Sequence, residues 1–349
     1  MLKKSYAAVD IFKFICSIMI IGIHCPPFLS FHRYIIYWGL FPMRIAVPFF
    51  FMTAAYFLFQ KLKEQNTEQL KWSVMKAYTI RIGKLWIFWS IIYYIIRLTQ
   101  IDLMDKSVIM WNMKVIARDF IFSGISGHLW YMPALLTSLL LIYYLQKKFS
   151  SKIILVFAGI LYVIGLLGNT YQFLLPERLL PYYEKMKNYI VGTRNGLFFG
   201  FLYCIIGAML VTIEIDRIRK RFLQFMLAVS VVFMLLEFAL VLRYRIGNLI
   251  STDLWMGTVP VTLFLFMLLL KSKLRTSPHT IWMRKMSLTI YLFHPAFITI
   301  FGIIFPSVGI GTLEENSAVY FISVTVSSVI SAIIVEGFKN RFIKLKAMN

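Results

Sequence analysis

Ten apolar runs, each near the length of a membrane-crossing helix, dominate the sequence: 9–27, 41–60, 82–98, 129–146, 153–169, 195–213, 222–242, 255–270, 287–305 and 318–338. A helix needs roughly 20 mainly apolar residues to cross the hydrocarbon core of a bilayer. The chain is 60% hydrophobic, against about 45–50% for soluble globular domains. One water-soluble core has no place for so many long runs. The expected fold is all-α: a polytopic membrane helix bundle of ten transmembrane helices, forming a single membrane domain over 1–349 with no soluble domain. The segment at 108–122, "VIMWNMKVIARDFIF", is amphipathic and too charged to span, so it is expected to lie along an interface.

The formal charge of +22 would point to nucleic acid in a soluble chain. Here the basic residues cluster in short connections between apolar runs, which is a topology signal. Nucleic acid is therefore not an expected partner; anionic lipid headgroups are. With alternate connections assigned to one side, the N-terminal side carries 24 Lys and Arg and the opposite side 11. By the positive-inside rule both termini are cytoplasmic, as expected of a multi-pass protein of a bacterial plasma membrane. The basic start "MLKKSYAAVD" lacks a following small-residue cleavage site, so the first run reads as a retained helix. Cys16, Cys25 and Cys204 lie in or beside apolar runs and suggest neither a disulfide framework nor a zinc site.

A charge within a span is costly and asks for a partner or a function. "KFICSIMIIGIH" carries Lys13 and His24 in one apolar helix. At about 100° per residue, Asp10, Lys13, Ser17 and His24 share a wedge of roughly 60°. His24 then lies three turns, roughly 16 Å, beyond Lys13. Such a wedge is expected to face the protein interior or a water-filled cavity. Placed by the same topology, Arg44, His128, Arg194 with Asn195, Glu237 and His294 come near the depth of His24. Arg44 and Arg194 also read as headgroup anchors, and His128 as a helix cap or a loop residue. Glu237, among Leu, Phe and Met, must protonate or find a cation, which Arg44, Arg194 or a histidine could supply. On the cytoplasmic side, Arg81 and Lys84 share a helix face, as a positive-inside anchor or as a site for the phosphates of a nucleotide-like cofactor. The sequence has no P-loop, GxGxxG, HExxH, GxSxG or metal-ligand run. No metal is expected.

Taken in order, "DIFKFICSIMIIGIH", "RIAVPFFFMTAAYFLF", "RIGKLWIFW", "GHLWYMPALL" and "SLTIYLFHP" resemble the successive blocks of the acyltransferase-3 membrane proteins, over nearly the whole chain. That family includes O-acetyltransferases of cell-envelope glycans. Within it, "RIAVPFFFM", "HLWYMPALL" and "TRNGLFFGF" resemble the membrane half of the vancomycin-resistance serine/alanine racemases. In those proteins a soluble racemase domain follows; this chain stops at "RFIKLKAMN", so racemase activity is not expected. The family's glycan acetyltransferases usually carry Arg where Lys13 stands, and lysine lacks the planar bidentate fork.

The resemblance implies an enzyme, a transferase that moves an acyl group, commonly acetyl, from cytoplasmic acyl-CoA to a hydroxyl of an envelope glycan or other small acceptor. Acyl-CoA is then a co-substrate, and no covalently bound cofactor is expected. His24 is the implied general base, with Lys13 and Asp10 shaping the path from the cytoplasm. Arg81 and Lys84 are the implied donor site, and Arg44, His128, Arg194 and Glu237 the acceptor or oxyanion side. The alternative is a transporter of serine or a similar small polar solute, with Arg44 or Arg194 on the carboxylate and Glu237 on the ammonium. Self-association into a homo-oligomer is left open.

Overall fold

The computed structural model describes residues 6–98, 120, 127–190, 192–244 and 252–348. Apart from Phe120, the segment expected along an interface at 108–122 lies outside the described residues. Among the described residues every regular element is helical. The helices are α1 Ala7–His24, α2 Arg33–Leu40, α3 Ala46–Lys63, α4 Glu68–Leu98, α5 Tyr131–Leu145 and α6 Ser151–Leu167. They continue with α7 Leu180–Ile190, α8 Phe201–Leu210, α9 Lys220–Tyr244, α10 Thr258–Leu270, α11 Pro278–Ser307 and α12 Ser317–Met348.

Among the described residues, six stretches are long and apolar enough to cross a membrane: Ala7–His24, Arg33–Lys63, Glu68–Ile96, Lys220–Tyr244, Pro278–Ser307 and Ser317–Lys339. Four further apolar helices, Tyr131–Leu145, Ser151–Leu167, Gly196–Leu210 and Thr258–Leu270, are of 10–17 residues. Each of these ten overlaps one expected run. The shorter four reach at most about 26 Å at 1.5 Å per residue, less than the roughly 30 Å hydrocarbon core. The structure therefore supports a helical membrane protein with six qualifying helices.

Helix ends follow local chemistry rather than hydropathy. α11 starts well before the apolar run at 287–305 because Ser277 and Thr280 form a reciprocal capping box ahead of it. α4 likewise begins at Glu68, where charged but helix-compatible residues precede the run at 82–98. α1 stops at His24, with Cys25 and then Pro26 and Pro27 beyond it. Ser150 caps α6 by accepting from the Ile153 amide. The helices α2 and α7 are additions to the expected runs.

The chain falls into two compact units, each assembled from separated stretches. The first holds Met1–Phe50, Ile218–Phe225 and Phe264–Asn349. Its core joins Ile21 of α1 and Cys25 just beyond its end, Met286, Ile290 and Phe305 of α11, and Tyr320, Val324 and Ala332 of α12. Ser317, at the start of α12, donates to the Pro27 carbonyl at 3.1 Å and meets the Ser30 hydroxyl at 2.8 Å.

The second unit holds Phe51–Arg217 and Met226–Leu263. Phe51, Trp130 and Phe199 form a triangle of rings with centroids 5.5–5.9 Å apart. A π-helical turn, Gly196–Gly200, is capped by Asn195, whose side chain accepts from the Leu197 and Phe198 amides. Ser138 of α5 donates to the Gly196 carbonyl at 2.7 Å. Gly207 of α8 lies against the Met52 backbone carbonyl, leaving no room for a Cβ. Gly207→Val is expected to destabilise the protein by about 1–3 kcal/mol through overpacking. Thermal unfolding of purified protein in detergent checks this, with the exposed Leu236 changed to valine as a near-neutral control.

Candidate functional site

The first unit contains the polar wedge of α1. Asp10 and Ser17 are buried, and Lys13 and His24 are half-buried. Ile15, on the opposite side of the helix, is 41% exposed. The wedge thus faces protein, as the helical period requires. Ser17 donates to the Phe14 carbonyl at 2.7 Å, so its hydroxyl is satisfied within α1.

Two contacts fix α11 against this wedge. The Asp10 carboxylate lies 3.6 Å from the Arg284 guanidinium, and Lys13 adds a second positive charge near it. At the other end the His24 and His294 rings have centroids 5.3 Å apart and are tilted by 36°. Residue numbers rise together along both helices, so α1 and α11 run parallel. His294 is fully buried, and its Nδ1 lies 3.3 Å from the Ile290 carbonyl. A carbonyl only accepts, so Nδ1 is the donor in this contact. Pro295 follows within the helix; lacking an N–H, it leaves the Tyr291 carbonyl without its usual amide beside this ring.

Arg44 sits in the 3-10 turn Phe41–Ile45 and is buried. The neighbouring Met43 sulfur fills the space a Cβ on Gly22 would occupy, 2.5 Å from that position. The turn bearing Arg44 therefore packs on the last turn of α1, near His24. The first unit thus places Asp10, Lys13 and Arg284 at one end of the α1–α11 pair, and His24, His294 and the Arg44 turn at the other. The part of Arg284 was missed at the sequence level. Its signal was available in "MRKMSLTIYLFH", where a cation lies ten residues before a histidine in an otherwise largely apolar run.

The other expected site residues belong to the second unit. Arg81 and Lys84 are exposed on α4, and the Arg81 guanidinium lies 5.2 Å from the Tyr78 ring centroid. His128 is buried edge-to-face against Tyr93, with centroids 4.7 Å apart. Arg194 reaches Asp253 at 3.1 Å and lies over the Trp130 ring at 5.2 Å.

Glu237 was expected to protonate or to find a cation. Its oxygens accept from neutral donors: the Tyr171 hydroxyl at 2.5 Å and the Met256 and Gly257 amides, both at 2.7 Å. These amides belong to a non-helical strap, residues 252–257, that leads into α10. Asn169 accepts from the strap's Asp253 and Leu254 amides at 2.8 and 3.1 Å. Tyr162 donates to the Trp255 carbonyl at 2.8 Å, and Trp255 is buried. Glu237 is thus an acceptor for orphan backbone donors, which a buried non-helical segment needs. Nearby, Tyr183 in α7 donates to the Ile164 carbonyl, and burial pushes its phenol up to about 12.

The apolar helices and the buried polar wedge define a multi-pass membrane protein. The sequence profile of the acyltransferase-3 family, described as an acyltransferase domain, matches residues 6–337, and the chain belongs to that family. It is 30% identical over 325 residues to a serine/alanine racemase of Enterococcus gallinarum, covering 90% of this chain and 44% of that protein. An amino-acid racemase of Enterococcus faecalis is 27% identical over 350 residues, covering 97% of this chain and 47% of the relative. The chain thus spans somewhat less than half the length of these relatives. No solved structure matches it.

Proposed function

We propose that the protein is a membrane-bound O-acyltransferase that moves an acyl group, acetyl in the simplest case, from cytoplasmic acyl-CoA to a hydroxyl of a cell-envelope glycan or other small acceptor. The observation that carries this reading is the half-buried His24 ring against the buried His294, on the same helix wedge as Lys13 and Asp10. Membership of the acyltransferase-3 family supports the reaction class. In this reading His24 takes the proton of the acceptor hydroxyl as its oxygen attacks the thioester carbonyl. The C–S bond then breaks, the acyl oxygen ester forms, and the coenzyme A thiolate leaves and takes up a proton. Arg44, whose turn packs near His24, stabilises the oxyanion that develops on the carbonyl. Arg284 and Lys13 keep the Asp10 carboxylate neutralised along the path. Arg81 and Lys84 hold the donor's phosphates. The partners Asp253 and Tyr171, with the strap amides, give Arg194 and Glu237 structural parts instead.

The positive-inside bias supports ten crossings with both termini cytoplasmic, in a bacterial plasma membrane. Purified protein in detergent, offered acetyl-CoA with a labelled acetyl group, is expected to release coenzyme A in an acceptor-dependent manner. If neither transfer nor hydrolysis exceeds the level of the His24→Ala variant, the reading fails. A second reading, transport of serine or a similar small polar solute, is favoured by the amino-acid and serine/alanine racemases that align over nearly the whole chain. His24-dependent serine uptake into proteoliposomes, without acetyl-CoA turnover, would establish it in place of the first.

A further inference from the structure

A cavity of about 670 Å³ lies in the second unit, where the ends of α3, α5 and α8 meet the start of α4. Three lysines are among its lining residues: Lys63, Lys71 and Lys147. One carboxylate, Glu68, opposes them and pairs with Lys71 at 2.8 Å. Lys63 gives one of its three N–H groups to the Val211 carbonyl, at 3.4 Å. Lys147 lies over the Tyr143 and Tyr144 rings, at 4.6 and 5.4 Å from their centroids. The lining is therefore cationic on balance. Its other wall is apolar, with Phe59, Leu62 and Val211.

Tyr143 supplies an independent observation. It lines the cavity and is 5% exposed, yet its buried hydroxyl has no hydrogen-bond partner among the described residues. A buried hydroxyl left without a partner costs free energy that an occupant with a polar oxygen would recover. The setting narrows the occupant further. α3, α5 and α8 are apolar nearly to the ends that form the cavity, so these ends lie at a membrane–water boundary. Trp72 and Tyr144, 40% and 49% exposed, have ring centroids 6.0 Å apart at this end of α5. Exposed tryptophan and tyrosine beside lysine mark the headgroup layer.

We propose that this cavity binds an anionic phospholipid of the surrounding leaflet. Its phosphate sits among Lys63, Lys71 and Lys147, with an oxygen on the Tyr143 hydroxyl, and its chains run along Phe59, Leu62 and Val211. Lysines suit this task because a mobile point charge accepts a phosphodiester in several orientations. The site is separate from the α1–α11 pair and does not depend on the acyl-transfer reading.

Short-chain dioctanoyl phosphatidylglycerol, added to the purified full chain in a neutral detergent, tests it by thermal unfolding. Dioctanoyl phosphatidylcholine, inorganic phosphate and coenzyme A are parallel arms. Phosphatidylglycerol is expected to raise Tm by about 3 °C or more at saturation, and the other three by less than about 1 °C. Lys63→Gln with Lys147→Gln is expected to raise the half-saturating lipid concentration about tenfold or more. An equal response to phosphatidylcholine overturns the proposal, as does an unchanged response in the double variant. A shift with phosphate or coenzyme A but none with lipid also overturns it, assigning the cavity to a soluble phosphate. Lys147→Arg and Tyr143→Phe cover the case in which the double variant does not fold. The first is expected to keep the lipid response and the second to weaken it, and the reverse pattern sinks the proposal.

Discussion

Replacing His24 by alanine is expected to lower acyl transfer from acetyl-CoA by about 100-fold or more, the usual worth of a positioned general base. The expectation rests on placement. The imidazole is half-buried at the end of α1, against a buried second imidazole, with the Arg44 turn packed on the same helical turn. Truncation removes no hydrogen bond that holds α1 to α11 at its other end, where Asp10 meets Arg284. The variant should therefore fold, and its Tm should fall by only a few degrees, in line with loss of a partly buried side chain. Histidine is also the side chain that ordinarily titrates near neutrality. A rising limb in the pH profile of kcat/KM, present in the wild type and absent from the residual activity of His24→Ala, would identify the base. His294→Gln should lower the rate less, because that ring positions His24 rather than touching the acceptor. Wild-type turnover in His24→Ala would exclude His24 as the base.

Glu237→Ala should be the most destabilising single change in the second unit, costing about 3–5 kcal/mol. The substitution leaves three donors behind: the Tyr171 hydroxyl and the Met256 and Gly257 amides. The amides cannot turn to water, because the strap is held on its other side by Asn169 and Tyr162. Glu237→Gln keeps one acceptor oxygen but turns an NH₂ toward donors, so it should cost about 2 kcal/mol. Tyr171→Phe removes one donor and should cost about 1 kcal/mol. A double-mutant cycle between Glu237 and Tyr171 should then show coupling. Thermal unfolding reads all three. Activity per folded molecule separates this role from a catalytic one. If Glu237→Gln unfolds at the wild-type temperature yet loses activity about 100-fold, Glu237 belongs to the chemistry and not to the strap.

The wedge of α1 was legible because one helix's period fixes which residues share a face. Asp10, Lys13, Ser17 and His24 needed only a rise and a turn angle to be set in line. Their partners were not legible in the same way. Arg284 and His294 lie far along the chain, and nothing in either helix states which neighbour it meets or at what register. The carboxylate of Glu237 shows the same divide. An acid among Leu, Phe and Met announces that it needs a partner, but the partner is a strap with no periodic signal and a phenol from a connection between α6 and α7.

By itself, the sequence determined the class of protein, the ten apolar runs, the inward wedge of the first helix and the family, since each follows from local composition or from ordered motifs. The tertiary structure alone decided the His24–His294 and Asp10–Arg284 contacts, the use of Glu237 to satisfy backbone donors, and the lysine-lined cavity. The physical reason is range. Hydrophobic periodicity is set by backbone geometry over a few residues, whereas which charges, rings and carbonyls meet is set by the packing of helices remote from one another in the chain.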